Sequence, residues 1–284
     1  MTEDQHQPIV QNVTAVDGFA YGVIGADIHV FGNRMPLYLL ERWRPPSEAD
    51  PQWLRELPSR MLNARFAVVD FTGRADELAA LRQWRDSRAR LGVRWVHAPG
   101  GQGKTRLAAQ LAEVSLDAGW RVVTAIQGPG SVLPPPGSQD LRLDGAVGLL
   151  LIVDYADQWP LTHLTWLFSN SLLHRSAVPV RVLLLARSAD AWPAVRASLA
   201  NLQADTSTQP LPELPDDPGP RGEMFRIARD SFAARYGLAN AVAIDPPGPL
   251  NDPDFGLTLA LHMAALVAVD AHISGGKPLA TWPG

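Results

Sequence analysis

The region between residues 93 and 214 alternates between apolar runs and amphipathic segments. Helices are predicted before, between and after the runs, at 71–91, 104–119, 161–173 and 190–200. The runs have the continuous apolar character of parallel strands that are covered on both faces. They are VRWVHA (93–98), RVVTAIQ (121–127), GLLLIVD (148–154) and VRVLLLAR (180–187). Strands that alternate with helices predict an α/β fold with a doubly wound parallel sheet.

The flanking regions are patterned differently. Residues 18–40 are rich in β-branched and aromatic residues separated by glycines, which predicts two or three short strands with turns at Gly25 and around Gly32-Asn33. The proline-rich run at 44–51 predicts a linker. Toward the C-terminus we expect a short strand in QPLPEL (209–214) and helices at 223–237 and 255–272. The alternating region is thus preceded by a β-rich segment and followed by a helical one.

Charge and composition exclude several classes of function. The 284-residue chain has 25 basic and 29 acidic residues and a net charge of -4, so we expect no nucleic-acid partner. It contains no cysteine, which excludes disulfides, thiolate metal sites and cysteine nucleophiles. The longest apolar run, AVGLLLIV (146–153), is far shorter than a bilayer span, and no export signal opens the chain. We expect a cytoplasmic protein without a membrane partner.

The segment APGGQGKT (98–105) lies between the first predicted strand and the helix that follows it. It matches the P-loop pattern, with alanine in place of the first glycine, and in that pattern backbone N–H groups at a helix N-terminus bind phosphates. Lys104 would reach the β- and γ-phosphates of ATP or ADP, and the Thr105 hydroxyl would bind Mg²⁺. The alternative is a glycine turn with an incidental GKT. The candidate nucleotide-binding residues of this loop are Ala98, Pro99, Gly100, Gly101, Gln102, Gly103, Lys104, Thr105 and Arg106.

An acidic residue stands where a P-loop site needs a second contact to the metal. Asp154 ends the apolar run at 148–154, as a Walker B aspartate does, and would reach Mg²⁺ from a neighbouring strand tip. The alternative is an aspartate that caps a turn after a core strand. Thr105 and Asp154 are therefore the candidate metal ligands.

The residues next to Asp154 predict slow hydrolysis. Many hydrolytic P-loop enzymes carry an acid directly after this aspartate to orient water, but here Tyr155 follows and the nearest acid is Asp157. Asp157 is equally suited to capping the turn before Trp159. Arg187 ends the fourth run, where its guanidinium could contact the γ-phosphate. The alternative is a solvated arginine at the end of a strand. Lys104, Asp154, Asp157 and Arg187 are the candidate catalytic residues.

In order, FTGRADELAALRQW, GGQGKTRLA, LLLIVDYAD and VRVLLLAR resemble the STAND class of P-loop ATPases, which are AAA+- and NACHT-related signal-transduction ATPases, and especially its actinobacterial members. The likeness runs from about residue 71 to 236. It implies that Gly73 and Arg74 form the family's Gly-Arg motif near the adenine, and that Arg187 is a sensor arginine. It also implies a small helical domain after PLPEL that closes over the nucleotide.

The expected division of the chain follows from these assignments. A β-rich N-terminal segment (1–45) and a linker (46–70) precede a P-loop nucleotide-binding domain (71–215), which a helical, lid-like region (216–284) follows. The resemblance implies that further domains follow, so we expect an N-terminal fragment. His262, in the last predicted helix, is expected to be a packing histidine.

We expect a regulatory ATPase that binds ATP or ADP with Mg²⁺ and acts as a slow conformational or oligomerisation switch in signalling. The alternatives are a P-loop kinase acting on a small molecule and an AAA+, origin-recognition-like ATPase that handles DNA. Expected partners beyond the nucleotide are further copies of the chain on activation and an effector bound through GVIGADIHVFGN (22–33), which alternatively forms a small sheet packed against the ATPase.

Overall fold

A six-stranded sheet lies at the centre of the protein. The computed structural model describes residues 21–30, 35–46, 48–128, 137–174 and 178–275. The strands are β1 (Tyr38–Arg42), β2 (Leu91–His97), β3 (Trp120–Gln127), β4 (Gly148–Val153), β5 (Val180–Ala186) and β6 (Asp205–Pro210). Their order in the sheet is β1-β3-β4-β5-β2-β6. All pairings are parallel except that of β1 with β3, which is antiparallel.

Seven α-helices accompany the sheet in the described part of the chain. They are α1 (Pro51–Glu56), α2 (Ala75–Arg85), α3 (Lys104–Asp117), α4 (Leu161–Phe168), α5 (Trp192–Ser198), α6 (Pro218–Tyr236) and α7 (Thr258–Ile273). Short 3₁₀ turns lie at Pro58–Leu62, Ala64–Phe66, Ala156–Gln158, Ser171–His174, Ala200–Leu202 and Pro253–Gly256. None of the helices described is long and apolar enough to cross a membrane.

Both faces of the sheet are covered. Every residue of β4 and β5 is buried, as the continuous apolar runs predict. On one face the strands pack with Leu164 and Leu167 of α4 and Val195 of α5. On the other face they pack with Leu81 of α2 and Leu107 of α3. The predicted α/β class is therefore confirmed: β2, the glycine loop and α3 follow in the order of a P-loop NTPase, within a doubly wound and mostly parallel sheet.

A third apolar cluster joins the C-terminal helices to the segment between β1 and β2. Leu54 of α1 and Met61 of the first 3₁₀ turn are buried together with Phe232 of α6 and Leu261 of α7. Much of the segment 46–70, expected to be a linker, therefore packs against α6 and α7, from residue 54 to residue 69. Pro51, the last residue of the proline-rich run that predicted the linker, is the first residue of α1, a position where proline is well tolerated, and Pro58 is the first residue of the following 3₁₀ turn. The division of the chain into domains stays a prediction.

The β-rich N-terminal segment contributes one strand to the main sheet. β1 pairs with β3, while Ile24 and Val30 form isolated bridges with Asp140 and Pro36. The turn predicted at Gly25 is present, with φ +87°. The turn predicted at Gly32-Asn33 and residues 1–20 lie outside the described residues. Tyr21 and Val23 pack in the apolar cluster beside the sheet, and the role expected for residues 22–33 stays a prediction.

One strand lies earlier in the sequence than expected. The short strand predicted in QPLPEL is β6 (Asp205–Pro210), which overlaps that stretch by only two residues. Pairing with β2 ends at Pro210 and at the hydrogen bond that the Leu211 N–H donates to the carbonyl of His97, because Pro212 has no N–H with which to continue it. β6 is a polar, partly exposed edge strand, and its sequence DTSTQP therefore lacks the apolar pattern that predicted the inner strands.

Candidate nucleotide-binding site

The glycine loop connects the end of β2 to the first residue of α3. Gly101 and Gly103 have φ values of +83° and +89°, a conformation that glycine adopts without the clash that a Cβ would cause. Ala98, which stands at the first glycine of the pattern, is not among the residues with positive φ. Its N–H donates to the carbonyl of Ala186 on β5 at 3.2 Å. The alanine therefore fits the loop without backbone strain.

Lys104 bends back onto the loop that precedes it. Its Nζ donates to the carbonyl oxygens of Ala98 at 2.7 Å and of Pro99 at 2.9 Å. Burial lowers the pKa of Lys104, while the negative charges of Asp154 and Asp157 act in the opposite direction and the positive charge of Arg187 adds to the lowering. All four predicted catalytic residues therefore lie close enough to interact.

Thr105 and Asp154, the two predicted metal ligands, meet directly. The Thr105 hydroxyl donates to Oδ2 of Asp154 at 2.9 Å, and the backbone N–H of Tyr155 donates to Oδ1 at 2.8 Å. Burial raises the pKa of Asp154, and these two hydrogen bonds and the charge of Lys104 oppose the rise. The carboxylate is thus held at the start of α3.

The route by which Asp154 reaches this point differs from the expectation. The sequence pattern suggested a strand next to the one that carries the glycine loop, but β5 lies between β2 and β4. Parallel strands end at the same edge of the sheet, and α3 begins over that edge. Thr105, in the first turn of α3, therefore reaches Asp154 at the end of β4 although β5 separates β4 from β2.

Asp157 and Arg187 lie at the same edge. Asp157 belongs to the 3₁₀ turn Ala156–Gln158, and its Oδ1 is shielded from solvent without a hydrogen-bond partner among the described residues. Arg187 directly follows β5, and its guanidinium carbon lies 5.8 Å from the centre of the Tyr155 ring. Both residues line the cavity next to the glycine loop.

Gly73 and Arg74 lie behind the glycine loop. The Arg74 guanidinium is buried, pairs with Glu77 at 2.8 Å and donates to Oε1 of Gln102 at 2.9 Å. Gln102 is itself fully buried. Neither Gly73 nor Arg74 lines the cavity, and neither do Ala98, Pro99 and Gln102. Gly73 and Arg74 are therefore placed to support the loop on the side away from the cavity.

A cavity of about 270 Å³ opens beside the loop. One wall consists of Gly100, Gly101 and residues 103–106, together with Asp154, Tyr155, Asp157 and Arg187. The opposite wall consists of residues 61–64 and 67–69, with Thr258, Leu259 and His262 of α7. The resemblance to STAND ATPases implied a helical region over the nucleotide, but neither residues 61–64 and 67–69 nor the face of the last helix that lines the cavity was identified from the sequence. The helical spacing of Thr258, Leu259 and His262 was the available signal, since residues three and four apart share one face of a helix.

The start of α7 contacts the glycine loop itself. The backbone N–H of Leu259 donates to the carbonyl of Gly101 at 2.9 Å. One turn further along α7, His262 lines the cavity instead of serving only in packing. Burial lowers the pKa of His262 to about 4, and the positive charge of Arg106 adds to this effect. The imidazole is therefore neutral at pH 7.

The second wall is also tied to α3. Arg106, which follows Thr105, donates from Nη2 to the carbonyl of Val69 at 2.9 Å. Burial lowers the pKa of Arg106 as well, while Glu113 and Asp70 oppose the change. The first turn of α3 thus carries contacts to both walls.

Comparison with known proteins yields distant structural likenesses. No protein-family model matches the sequence, and no curated protein does. Cdc6p from Pyrobaculum aerophilum is 15% identical with a TM-score of 0.41, over 72% of this chain and 63% of that protein. ORC1 from Aeropyrum pernix, solved in complex with DNA, is 15% identical with a TM-score of 0.43, over 75% and 64%. ORC2 from A. pernix, in ADPNP and ADP complexes, is 17% identical with a TM-score of 0.41, over 74% and 66%.

The chain spans a little less than two thirds of the length of each of these proteins. Nucleotides are components of the ORC2 structure and DNA is a component of the ORC1 structure. The expectation that this chain has no nucleic-acid partner stays a prediction.

Proposed function

We propose that this protein is a regulatory ATPase that binds ATP or ADP with Mg²⁺ in the cavity beside the glycine loop. The observation that carries the proposal is the hydrogen bond of 2.9 Å between Thr105 and Asp154, next to the ammonium group of Lys104. A hydroxyl, a carboxylate and an amine in this arrangement are what a P-loop uses for Mg²⁺ and phosphate.

The loop fits a chain of phosphates. A Cβ added at Gly100 would meet no atom within 4 Å, so space is open along this part of the loop. The carbonyl oxygens that Lys104 contacts are weaker partners than phosphate oxygens, because hydrogen bonds between two charged groups are the stronger ones. Lys104 would therefore exchange these carbonyls for the β- and γ-phosphates.

The oxygen ligands fit Mg²⁺. Thr105 and Asp154 supply one hydroxyl and one carboxylate, and Mg²⁺ in proteins is usually held by one or two carboxylates together with substrate phosphates and water. Bound Mg²⁺ neutralises charge on the phosphates. Asp154 would have to be ionised in this state, and its hydrogen bonds from Thr105 and Tyr155 favour the ionised form.

Hydrolysis would depend on Asp157 and Arg187. Asp157 would accept a proton from the attacking water at its carboxylate, of which one oxygen has no described partner. Arg187 would stabilise negative charge on the γ-phosphate. Because Tyr155 occupies the position next to Asp154, the acid is displaced along the 3₁₀ turn, and we expect slow turnover.

The position of α7 supports a switch. Its N-terminal turn is hydrogen-bonded to Gly101, and the same helix packs with residues 54 and 61 in the third cluster. A nucleotide in the cavity would touch both the loop and this helical wall. ATP and ADP would then favour different arrangements according to their different affinities for each, as the resemblance to STAND ATPases implies.

The test is to purify the protein, identify any nucleotide it retains, and measure single- and multiple-turnover ATP hydrolysis for wild type and Lys104→Ala. We expect retained ADP or ATP, slow turnover, and nucleotide affinity about 10- to 100-fold weaker in Lys104→Ala, since a hydrogen bond to a charged group contributes about 1.5–3 kcal/mol. Arg226→Ala is the matched control, because it removes one positive charge from an exposed face of α6.

The same measurements separate the alternatives. A wild-type protein that retains no nucleotide and binds neither ATP nor ADP at millimolar concentration would contradict the proposal. Turnover that requires a small acceptor molecule would indicate a kinase. Turnover that depends on duplex DNA would indicate the DNA-associated ATPase.

A further inference from the structure

Tyr155 has an unusual backbone conformation at the phosphate end of the cavity. Its φ is +52°, in the left-handed region that residues other than glycine rarely adopt. Residues held in this region concentrate at functional sites, where the surrounding structure imposes the conformation. Here the N–H of Tyr155 donates to Asp154 and its carbonyl accepts from Gln158, which fixes the turn after β4.

Tyr155 carries a large aromatic ring, and the residue is half exposed, with 51% of its surface accessible. It lines the cavity together with Arg187, and the guanidinium carbon of Arg187 lies 5.8 Å from its centre. This distance is within the range of a cation–π interaction. The two residues meet because β4 and β5 are adjacent parallel strands, and each residue lies just past the end of its strand.

Arg187 needs a partner to stay in one place. It is an exposed residue, and in the described part of the chain no hydrogen bond or ion pair fixes its guanidinium, so the Tyr155 ring is the contact that restrains it. The charge of Arg187 also contributes to the lowered pKa of Lys104, which places both cations at the same end of the cavity.

We infer that Tyr155 is a positioning residue for Arg187 and thereby sets how well the site distinguishes ATP from ADP. The ring holds the guanidinium at the phosphate end of the cavity before nucleotide binds. A terminal γ-phosphate then meets an arginine that is already in place, whereas ADP, which lacks this phosphate, gains nothing. The inference rests on the proposed function, since it requires a nucleotide in this cavity.

The test compares affinities for ADP and for the non-hydrolysable ATP analogue ADPNP, measured by calorimetry on the full chain with Mg²⁺. Tyr155→Asn removes the ring, and asparagine tolerates the left-handed backbone. Tyr155→Phe keeps the ring and removes only the hydroxyl. We expect Tyr155→Asn to bind ADPNP about two- to fivefold more weakly, the equivalent of the ~0.5–1 kcal/mol of an exposed cation–π contact, and to bind ADP as wild type does. Tyr155→Phe should bind both nucleotides as wild type does.

A double-mutant cycle with Arg187→Ala ties the effect to the pair. In the Arg187→Ala background, Tyr155→Asn should cause no further loss of ADPNP affinity. The inference is overturned if the loss persists in that background, if ADP and ADPNP weaken equally, or if Tyr155→Phe behaves as Tyr155→Asn does. Wild-type protein that binds neither nucleotide would overturn the proposed function itself, whereas normal binding with an unchanged ratio in Tyr155→Asn would overturn only this inference.

Discussion

Gly73 is restricted to glycine by two separate causes. Its φ is +77°, and a Cβ added to it would overlap the sulfur of Met224 on α6. Met224 is buried, so it has little room to move away. We predict that Gly73→Ala lowers the free energy of unfolding by about 2–3 kcal/mol, of which the backbone conformation accounts for about 1 kcal/mol and displacement of Met224 for the rest. Urea denaturation measures this loss.

Gly237 provides the matched control for Gly73. It ends α6 with φ +79°, and a Cβ added there would meet no atom within 4 Å. Gly237→Ala should therefore show the backbone cost alone, about 1 kcal/mol. Equal losses in the two variants would mean that the contact between Gly73 and Met224 contributes nothing to stability.

His262 should make the protein less stable in mild acid. Burial lowers its pKa from 6.5 to about 4 in the folded protein, with Arg106 adding to the effect. Between these values the unfolded chain binds a proton that the folded chain does not, so stability falls as pH decreases from about 6.5 to about 4. We predict that the free energy of unfolding of wild type falls relative to that of His262→Gln by up to about 1.4 kcal/mol for each pH unit in this window.

The measurement is urea denaturation of the nucleotide-free protein at pH 7 and pH 5, for wild type and His262→Gln. Other carboxylates titrate in both proteins, so the difference between the two isolates the histidine. An identical pH dependence would show that His262 is protonated as easily in the folded chain as in the unfolded one.

The contact between the glycine loop and α7 can be tested with two neighbouring glycines. A Cβ at Gly101 would approach Cβ of Leu259 to 3.2 Å at a position where φ is +83°, whereas a Cβ at Gly100 would meet nothing within 4 Å. We predict that Gly101→Ala destabilises the nucleotide-free protein by about 1–3 kcal/mol and that Gly100→Ala changes its stability by less than about 0.5 kcal/mol. Thermal or urea unfolding of both variants provides the comparison.

If Gly100→Ala proved as destabilising as Gly101→Ala, the loop would be intolerant of any side chain and the contact with α7 would not be the cause. The prediction concerns the protein without nucleotide. Effects on phosphate binding are a separate measurement, since both glycines line the cavity.

The elements that were predicted correctly depend on local sequence. The apolar runs around residues 93–98 and 148–154 form buried strands, and the glycine loop between a strand and a helix has the predicted order. A continuous apolar run predicts a strand that is buried on both faces, and this prediction does not require knowing which strands lie beside it. Strand order is not local, and for this reason the insertion of β5 between β2 and β4 was not predicted.

Arg181 shows how tertiary contacts can override a local pattern. It is the second residue of a run read as apolar and is fully buried in β5. Its guanidinium donates to carbonyl oxygens at and just after the end of α2, including those of Arg85, Ser87 and Ala89. The end of a helix leaves carbonyls unsatisfied and carries partial negative charge, which favours a cation there. The sequence of the strand contains no sign of this partner.

The part of the second wall that residues 61–69 form was not identified from the sequence for a similar reason. The prolines at 51 and 58 read equally well as part of a linker and as first positions of helical turns, and only packing against α6 and α7 decides between these. His262 lies inside the predicted helix, and the residues around it in the sequence do not show which face of that helix meets the glycine loop. The residues that bind phosphate in the proposal follow a motif, whereas those of the opposite wall are defined by the fold.

At the scale of the whole molecule, the cavity lies between the sheet with its covering helices and the third apolar cluster. The sheet and its covering helices supply the glycine loop, Asp154 and Arg187, while the third cluster supplies residues 61–69 and α7. Direct hydrogen bonds already join them, among them those from Leu259 to Gly101 and from Arg106 to Val69. A ligand that touches both walls would add its binding energy to this junction.

We therefore predict that ADP with Mg²⁺ slows amide hydrogen exchange in the glycine loop and, to a similar degree, in residues 61–69 and the first turn of α7. At 100 times its Kd, a ligand that binds only the folded protein adds about 2.7 kcal/mol to the free energy of unfolding, which sets the upper limit of the added protection. Lys104→Ala at the same ADP concentration should show much less protection in all three segments. If ADP protected the loop alone, nucleotide would bind without engaging α7, and a switch that acts through this helix would have no physical basis.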